Sequence, residues 1–171
     1  MAINLDGNGV NTTGLINSAT AQTTTSGTSI DFTGIPSGVK RITVMLNGVS
    51  TNGSSVVQIQ LGSNGSVETT GYVTMTGLIA TTNNTTRGAT YTSGFAMNHG
   101  GAAVDTWRGN FVFTLVSGST WTGTGTIYNS NDAVSMSAGT KTTSTTLDRV
   151  RITTVNGTDT FDAGSINILY E

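Results

Sequence analysis

The side chains best equipped for chemistry gather around one short stretch. Asp105, Trp107 and Arg108 follow the glycine-rich run Asn98-His99-Gly100-Gly101-Ala102. An aromatic face between a carboxylate and a guanidinium can stack on a sugar ring while the polar groups bond its hydroxyls. Tyr72 and Tyr91 add amphipathic rings, each with a hydroxyl that donates and accepts. His99 is the only histidine, so a metal site built from several imidazoles is excluded and a catalytic triad would have to use this one residue. The ligand-binding candidates are therefore Trp107, Asp105, Arg108, Tyr91, Tyr72 and His99. A glycosidase needs two carboxylates about 5 to 10 Å apart. Glu68, Asp105 and Asp132 stand near strand ends, but no spacing in the chain fixes their separation and acidic residues near turns are expected from turn chemistry alone. No catalytic residue, metal ligand or cofactor is assigned. The expectation is a binding protein, not an enzyme.

The composition limits what can position these groups. Of 171 residues, 35 are Thr, 23 Gly, 17 Ser and 15 Asn, while charged residues make up only 9 %. Thr is stiff at its branched β-carbon and suits a pleated surface, and helix formers are scarce. A helical bundle or an α/β enzyme is thereby excluded. Seven basic and nine acidic residues give a formal net charge of -2, and the basic ones are scattered, so neither a nucleic-acid stripe nor a polybasic membrane patch exists. Cysteine is absent, which removes disulfides and thiolate chemistry. The first residues, Met1 to Asp6, have neither a basic start nor an apolar run, so no secretory signal and no membrane insertion are expected.

Residues 1–26 are polar and read as an arm or linker; residues 27–171 read as one β-sandwich domain. In the latter, apolar residues fall in short alternating rows bounded by turn signals. Ile30 and Phe32 share a face, as do Ile42, Val44 and Leu46, then Val57, Ile59 and Leu61. Gly71–Met75 and Gly77–Ala80 read as two short strands and Thr90–Met97 as one, with a polar loop over 81–86. Phe111, Phe113 and Leu115 form another row, Trp121 shares parity with Ile127 and reads as core, Val134–Gly139 alternates, and Leu147–Val155 and Ser165–Tyr170 close the chain. Asn47-Gly48, Asn52-Gly53 and Asn156-Gly157 read as turns. Gly123 and Gly125 predict a bulge or a close backbone approach. Two antiparallel sheets packed face to face would bury such half-apolar strands, which predicts an all-β, jelly-roll-like antiparallel sandwich.

The stretch Asp31-Phe32-Thr33-Gly34-Ile35-Pro36-Ser37-Gly38-Val39-Lys40-Arg41-Ile42-Thr43-Val44-Met45, the Gln60-Leu61-Gly62 element before Glu68-Thr69-Thr70-Gly71-Tyr72, and the tail from Arg149 to Glu171 resemble the β-structured C-terminal module of tailed-bacteriophage structural proteins, of tail-fibre or surface-fibre type. The resemblance spans about Ser26 to Glu171. It implies a homotrimeric distal domain on the virion surface that recognises a host receptor, either polysaccharide or protein, and an N-terminal segment that contacts other virion proteins. A capsid or tail decoration protein is the alternative, and a polysaccharide depolymerase a more distant one.

Overall fold

The computed structural model describes residues 16–81 and 86–171, together with two short strands, β1 (Leu5–Asp6) and β2 (Gly9–Val10), which pair with each other. The rest of the expected arm and the tip of the 81–86 loop lie outside the described residues. The described chain is all β, in two large antiparallel sheets.

The wider sheet contains β9 (Tyr72–Ala80), β10 (Thr86–Tyr91), β12 (Trp107–Ser117), β13 (Thr120–Asn129), β14 (Ala133–Thr142), β6 (Arg41–Thr51) and β16 (Phe161–Tyr170), in the order β10-β9-β14-β13-β12-β6-β16. Two further short strands, β3 (Asn17–Ser18) and β4 (Gln22–Thr23), line the far edge of β16. The narrower sheet runs β11 (Phe95–Ala96), β7 (Val57–Ser63), β15 (Leu147–Thr154), β5 (Ser29–Thr33), with β8 (Ser66–Val67) beside β7. After β5 the chain crosses repeatedly between the two, so that β6 pairs β16, β7 pairs β15 and β9 pairs β14 as nested antiparallel partners.

The alternation explains the core. Ile42, Val44 and Leu46 of β6 face Ile59 and Leu61 of β7 and Val150 and Ile152 of β15 within one hydrophobic cluster. Burying each such side chain contributes about 1.5–3 kcal/mol. Its centre is aromatic: Phe95 meets Phe113 edge-on at 4.9 Å between ring centroids, and Phe113 stacks on Phe111 at the same separation. These rings need room on the next strand. The pairing of β12 with β13 runs in register through Gly123 and Gly125, so neither is a bulge; a Cβ at Gly123 would lie 2.7 Å from Phe113. Of the two readings of these glycines, close approach is the one realised.

Several local expectations are corrected. Asn47-Gly48 is no turn: β6 continues through it, and a φ of 66° at Gly48 produces a bulge where β12 and β16 both shift register. The two strands expected over 71–80 are one, because Thr76 and Gly77 stay in register with β14 and β10. The single strand expected over 90–97 is split between sheets, with Gly94 buried where the chain crosses. The start of the packed unit precedes residue 27: β3 and β4 bond to β16, and the buried Thr24 hydroxyl donates to the Ala163 carbonyl at 2.5 Å.

The two sheets differ in width, and the wider one overhangs. Where β6, β12 and β16 lie over the narrow sheet, apolar rows point inward and residues such as Arg41 and Thr43 point outward. On β9 and β14 the polarity reverses. Thr74, Thr76, Ser135 and Ser137 are buried, whereas Val73, Met75, Ile79, Val134 and Met136 are exposed.

Candidate functional site

The overhang creates a cleft of about 410 Å³ beneath the inner face of β9 and β10. Leu78, Ala80 and Ala133 supply its apolar floor, the loop 99–102 one wall, and Arg87, His99 and Asn131 polar groups around it. Arg87 reaches it because it stands opposite Leu78 on the edge strand β10.

The loop wall is held firmly. The Asn98 side-chain carbonyl accepts from the Val57 N–H at 3.0 Å, tying the loop to the narrow sheet. Asp105, 5 % exposed, accepts through Oδ2 from the Ala102 N–H at 2.9 Å and the Asn129 amide at 3.1 Å. Asn129 in turn accepts from the Asn131 N–H at 2.9 Å, which shapes the turn between β13 and β14. Under this wall lies Trp107. A Cβ at Gly101 would come within 2.9 Å of its ring, so only glycine lets the loop rest on the indole.

Polar capacity remains after these internal bonds. Arg87 is exposed and, among the described residues, its side chain makes no ion pair or hydrogen bond; His99 is half-buried and its Nδ1 is enclosed without a hydrogen-bond partner. Asp105 is the only carboxylate among the described residues that line the cleft. Glycoside hydrolysis by the usual route needs a second, and among the described residues no three His, Asp or Glu side chains gather as a metal site.

His99 and Asp105 are thus brought together in the cleft, and the other candidates go elsewhere. Trp107 is 1 % exposed, so it cannot present a stacking face; it supports the loop instead of contacting a ligand. Arg108 lies beside Tyr128 across the strand pair, on the outer face, and donates to the Thr106 hydroxyl at 2.8 Å. Tyr91 is half-buried at the opposite end of β10, paired with Thr74, and burial pushes its hydroxyl pKa up. Tyr72 is buried.

Tyr72 belongs to a second polar cluster at the other end of β9 and β14. Its hydroxyl donates to the Glu68 carbonyl at 2.7 Å and accepts from the Leu61 N–H at 2.8 Å. Lys141 sits 5.2 Å from the Tyr72 ring centroid and 2.6 Å from the Glu68 carboxylate, with only 6 % of its side chain exposed. Glu68 also accepts from the Ser63 hydroxyl and the Ser144 N–H, both at 2.8 Å. Burial works to raise the Glu68 pKa, but the bonds from Lys141, Ser144 and Ser63 outweigh it and hold the carboxyl at about 2. Burial likewise raises the Tyr72 hydroxyl far above its usual range. Every group here already has a partner within the chain, so the cluster clamps the two sheets together. Glu68, considered above beside Asp105 as an acid, stands at the opposite end of the strands.

Arg87, Asn129 and Asn131 were missed as site residues. The available signals were a lone cation in an otherwise neutral threonine stretch and an Asn-Ser-Asn-Asp turn; only the fold places both beside His99. No protein-family model, curated protein or solved structure matches the chain.

Proposed function

We propose that the chain is a non-enzymatic recognition module of a phage particle, the distal domain of a fibre, which binds a glycan on the host surface through the cleft beneath β9 and β10. The observation that carries the glycan reading is the cleft itself: an apolar floor of Leu78, Ala80 and Ala133 beside the polar side chains of Arg87, His99 and Asn131. A sugar ring matches this pairing, since one of its faces is C–H and its edges are hydroxyls. A single cleft of this kind binds weakly. Three copies in a homotrimer raise the effective concentration and give a lasting attachment. The virion assignment rests on the resemblance of residues 26–171 to fibre modules, with contacts to other virion proteins made through the N-terminal segment. We also read the two sheets as a jelly-roll sandwich, a reading supported by the nested pairs β6 with β16, β7 with β15 and β9 with β14.

Titration of the chain with extracted host surface polysaccharide by calorimetry tests the reading. The expected result is saturable binding, no new reducing ends, and a loss of about tenfold in affinity for Arg87→Ala without a change in melting temperature. Absence of binding at saturating polysaccharide, together with binding to particles that lack the subunit, would replace this reading with a decoration protein. Release of reducing ends would replace it with a depolymerase.

A further inference from the structure

The outer face of β9, β14 and β13 takes no part in the cleft. Val73, Met75 and Ile79 of β9 are 75 %, 56 % and 53 % exposed, and Val134, Met136 and Tyr128 stand beside them on the next two strands. Register makes these one surface: Ile79 pairs Val134, Val134 pairs Tyr128, and Met75 pairs Ala138. Single exposed apolar residues are ordinary, but a contiguous row across three strands marks an interface.

Two properties identify the occupant. The first is charge. Thr, Gly, Ala, Val, Ile, Met and Tyr occupy the outward positions of β10, β9, β14 and β13, and charge stands at the rim, Arg108 beside Tyr128 and Asp132 in the turn before β14. Neither an acidic nor a basic partner is selected by such a face, and contact between two copies buries no unpaired charge. The second is size. At about 4.8 Å between strands and about 3.3 Å per residue, the four strands β10, β9, β14 and β13 over eight residues project to roughly 500 Å² per copy, or about 1,000 Å² for two, the lower bound for a specific interface. The reversed polarity supplies the reason: with Thr74, Thr76, Ser135 and Ser137 turned inward, the apolar row of these strands can leave water only by meeting another molecule.

We infer that this outer face of β9, β14 and β13 is the seam at which a second copy of the chain docks. The inference rests on the self-association proposed above and not on its copy number: like faces meeting close as a two-fold pair, and a trimer would set this face against a different surface of the next copy. Light scattering of the purified chain is expected to give a mass above that of one copy. Met136→Lys and Met75→Lys each place a charge on the seam at a position that is exposed in the single copy; each is expected to raise the dissociation constant at least ~100-fold with an unchanged far-ultraviolet spectrum. Val116→Lys, at an exposed apolar position outside the row, is expected to leave the mass unaltered. A wild-type chain that stays monomeric at its solubility limit overturns the seam, as does an oligomer indifferent to both lysines. A monomer that still binds polysaccharide leaves the recognition reading standing, and an oligomer that binds none leaves the seam standing.

Discussion

The two halves of the wide sheet are built on opposite rules. Where β16, β6 and β12 cover the narrow sheet, Ile166, Val44 and Phe111 point inward and adhesion is apolar. In the half made by β14, β9 and β10, serine and threonine point inward and the attachment to the narrow sheet is a polar clamp, Lys141 on Glu68 with Ser63, Ser144 and Tyr72 around it. The first half holds the fold together. The second leaves both of its faces for other purposes, a cleft on the inside and an apolar row on the outside, and needs the clamp because it has little apolar burial of its own. Width mismatch between two sheets therefore suffices to open a cleft without any inserted domain.

Substitutions that treat the halves unequally test this contrast. The largest effect is expected for Phe111→Ala, a loss of about 3–5 kcal/mol in urea unfolding, against less than about 0.5 kcal/mol for Met75→Ala measured in dilute, dissociated protein. Comparable losses for the two would abolish the contrast. Next, Lys141→Met leaves the half-buried Glu68 carboxylate beside only two neutral donors, and a loss of about 1–2 kcal/mol is expected by the same assay; a neutral result would mean that apolar contacts hold this half after all.

The clamp also has a pH signature. The Glu68 carboxyl is depressed from 4.5 to about 2 on folding, so its contribution is fully present above pH 4.5 and is lost as pH falls through that value toward 2. Melting temperatures recorded across this window are expected to fall more steeply for the wild type than for Glu68→Gln, and parallel curves would assign the acid sensitivity to other carboxylates. The smallest effect concerns the inward serines. The Ser137 hydroxyl is buried with no hydrogen-bond partner, so Ser137→Ala is expected to be neutral or stabilising by up to about 1 kcal/mol. A clear destabilisation would show that this polar interior is satisfied in a way the core half is not.

Parts of the fold were legible because period-two rows are a local property. Ile42, Val44 and Leu46, or Phe111 and Phe113, sit where alternation puts them, and Trp121 is core. Alternation marks two faces of a strand but does not say which is inside. Val134 and Met136 form as clean a row as Phe111 and Phe113, yet they face out. The same limit governs the site. Asp105 and His99 stand six residues apart and share a cleft, whereas Trp107 and Arg108 beside them turn to the core and to the outer face, since neighbours on a strand point opposite ways. Arg87 and Asn131 are 44 positions apart and meet only through the pairing of β10, β9 and β14.

The amino-acid sequence alone determined that the chain is built of strands, that it lacks cysteine chemistry and any imidazole metal cluster, and that neutral hydrogen-bonding groups dominate its surface; these follow from residue type and local spacing. The tertiary structure decided which apolar rows are buried, which polar side chains come together, and where a cleft opens. Those outcomes depend on how many strands each sheet contains and how far one extends past the other, and that is fixed by pairing between distant segments.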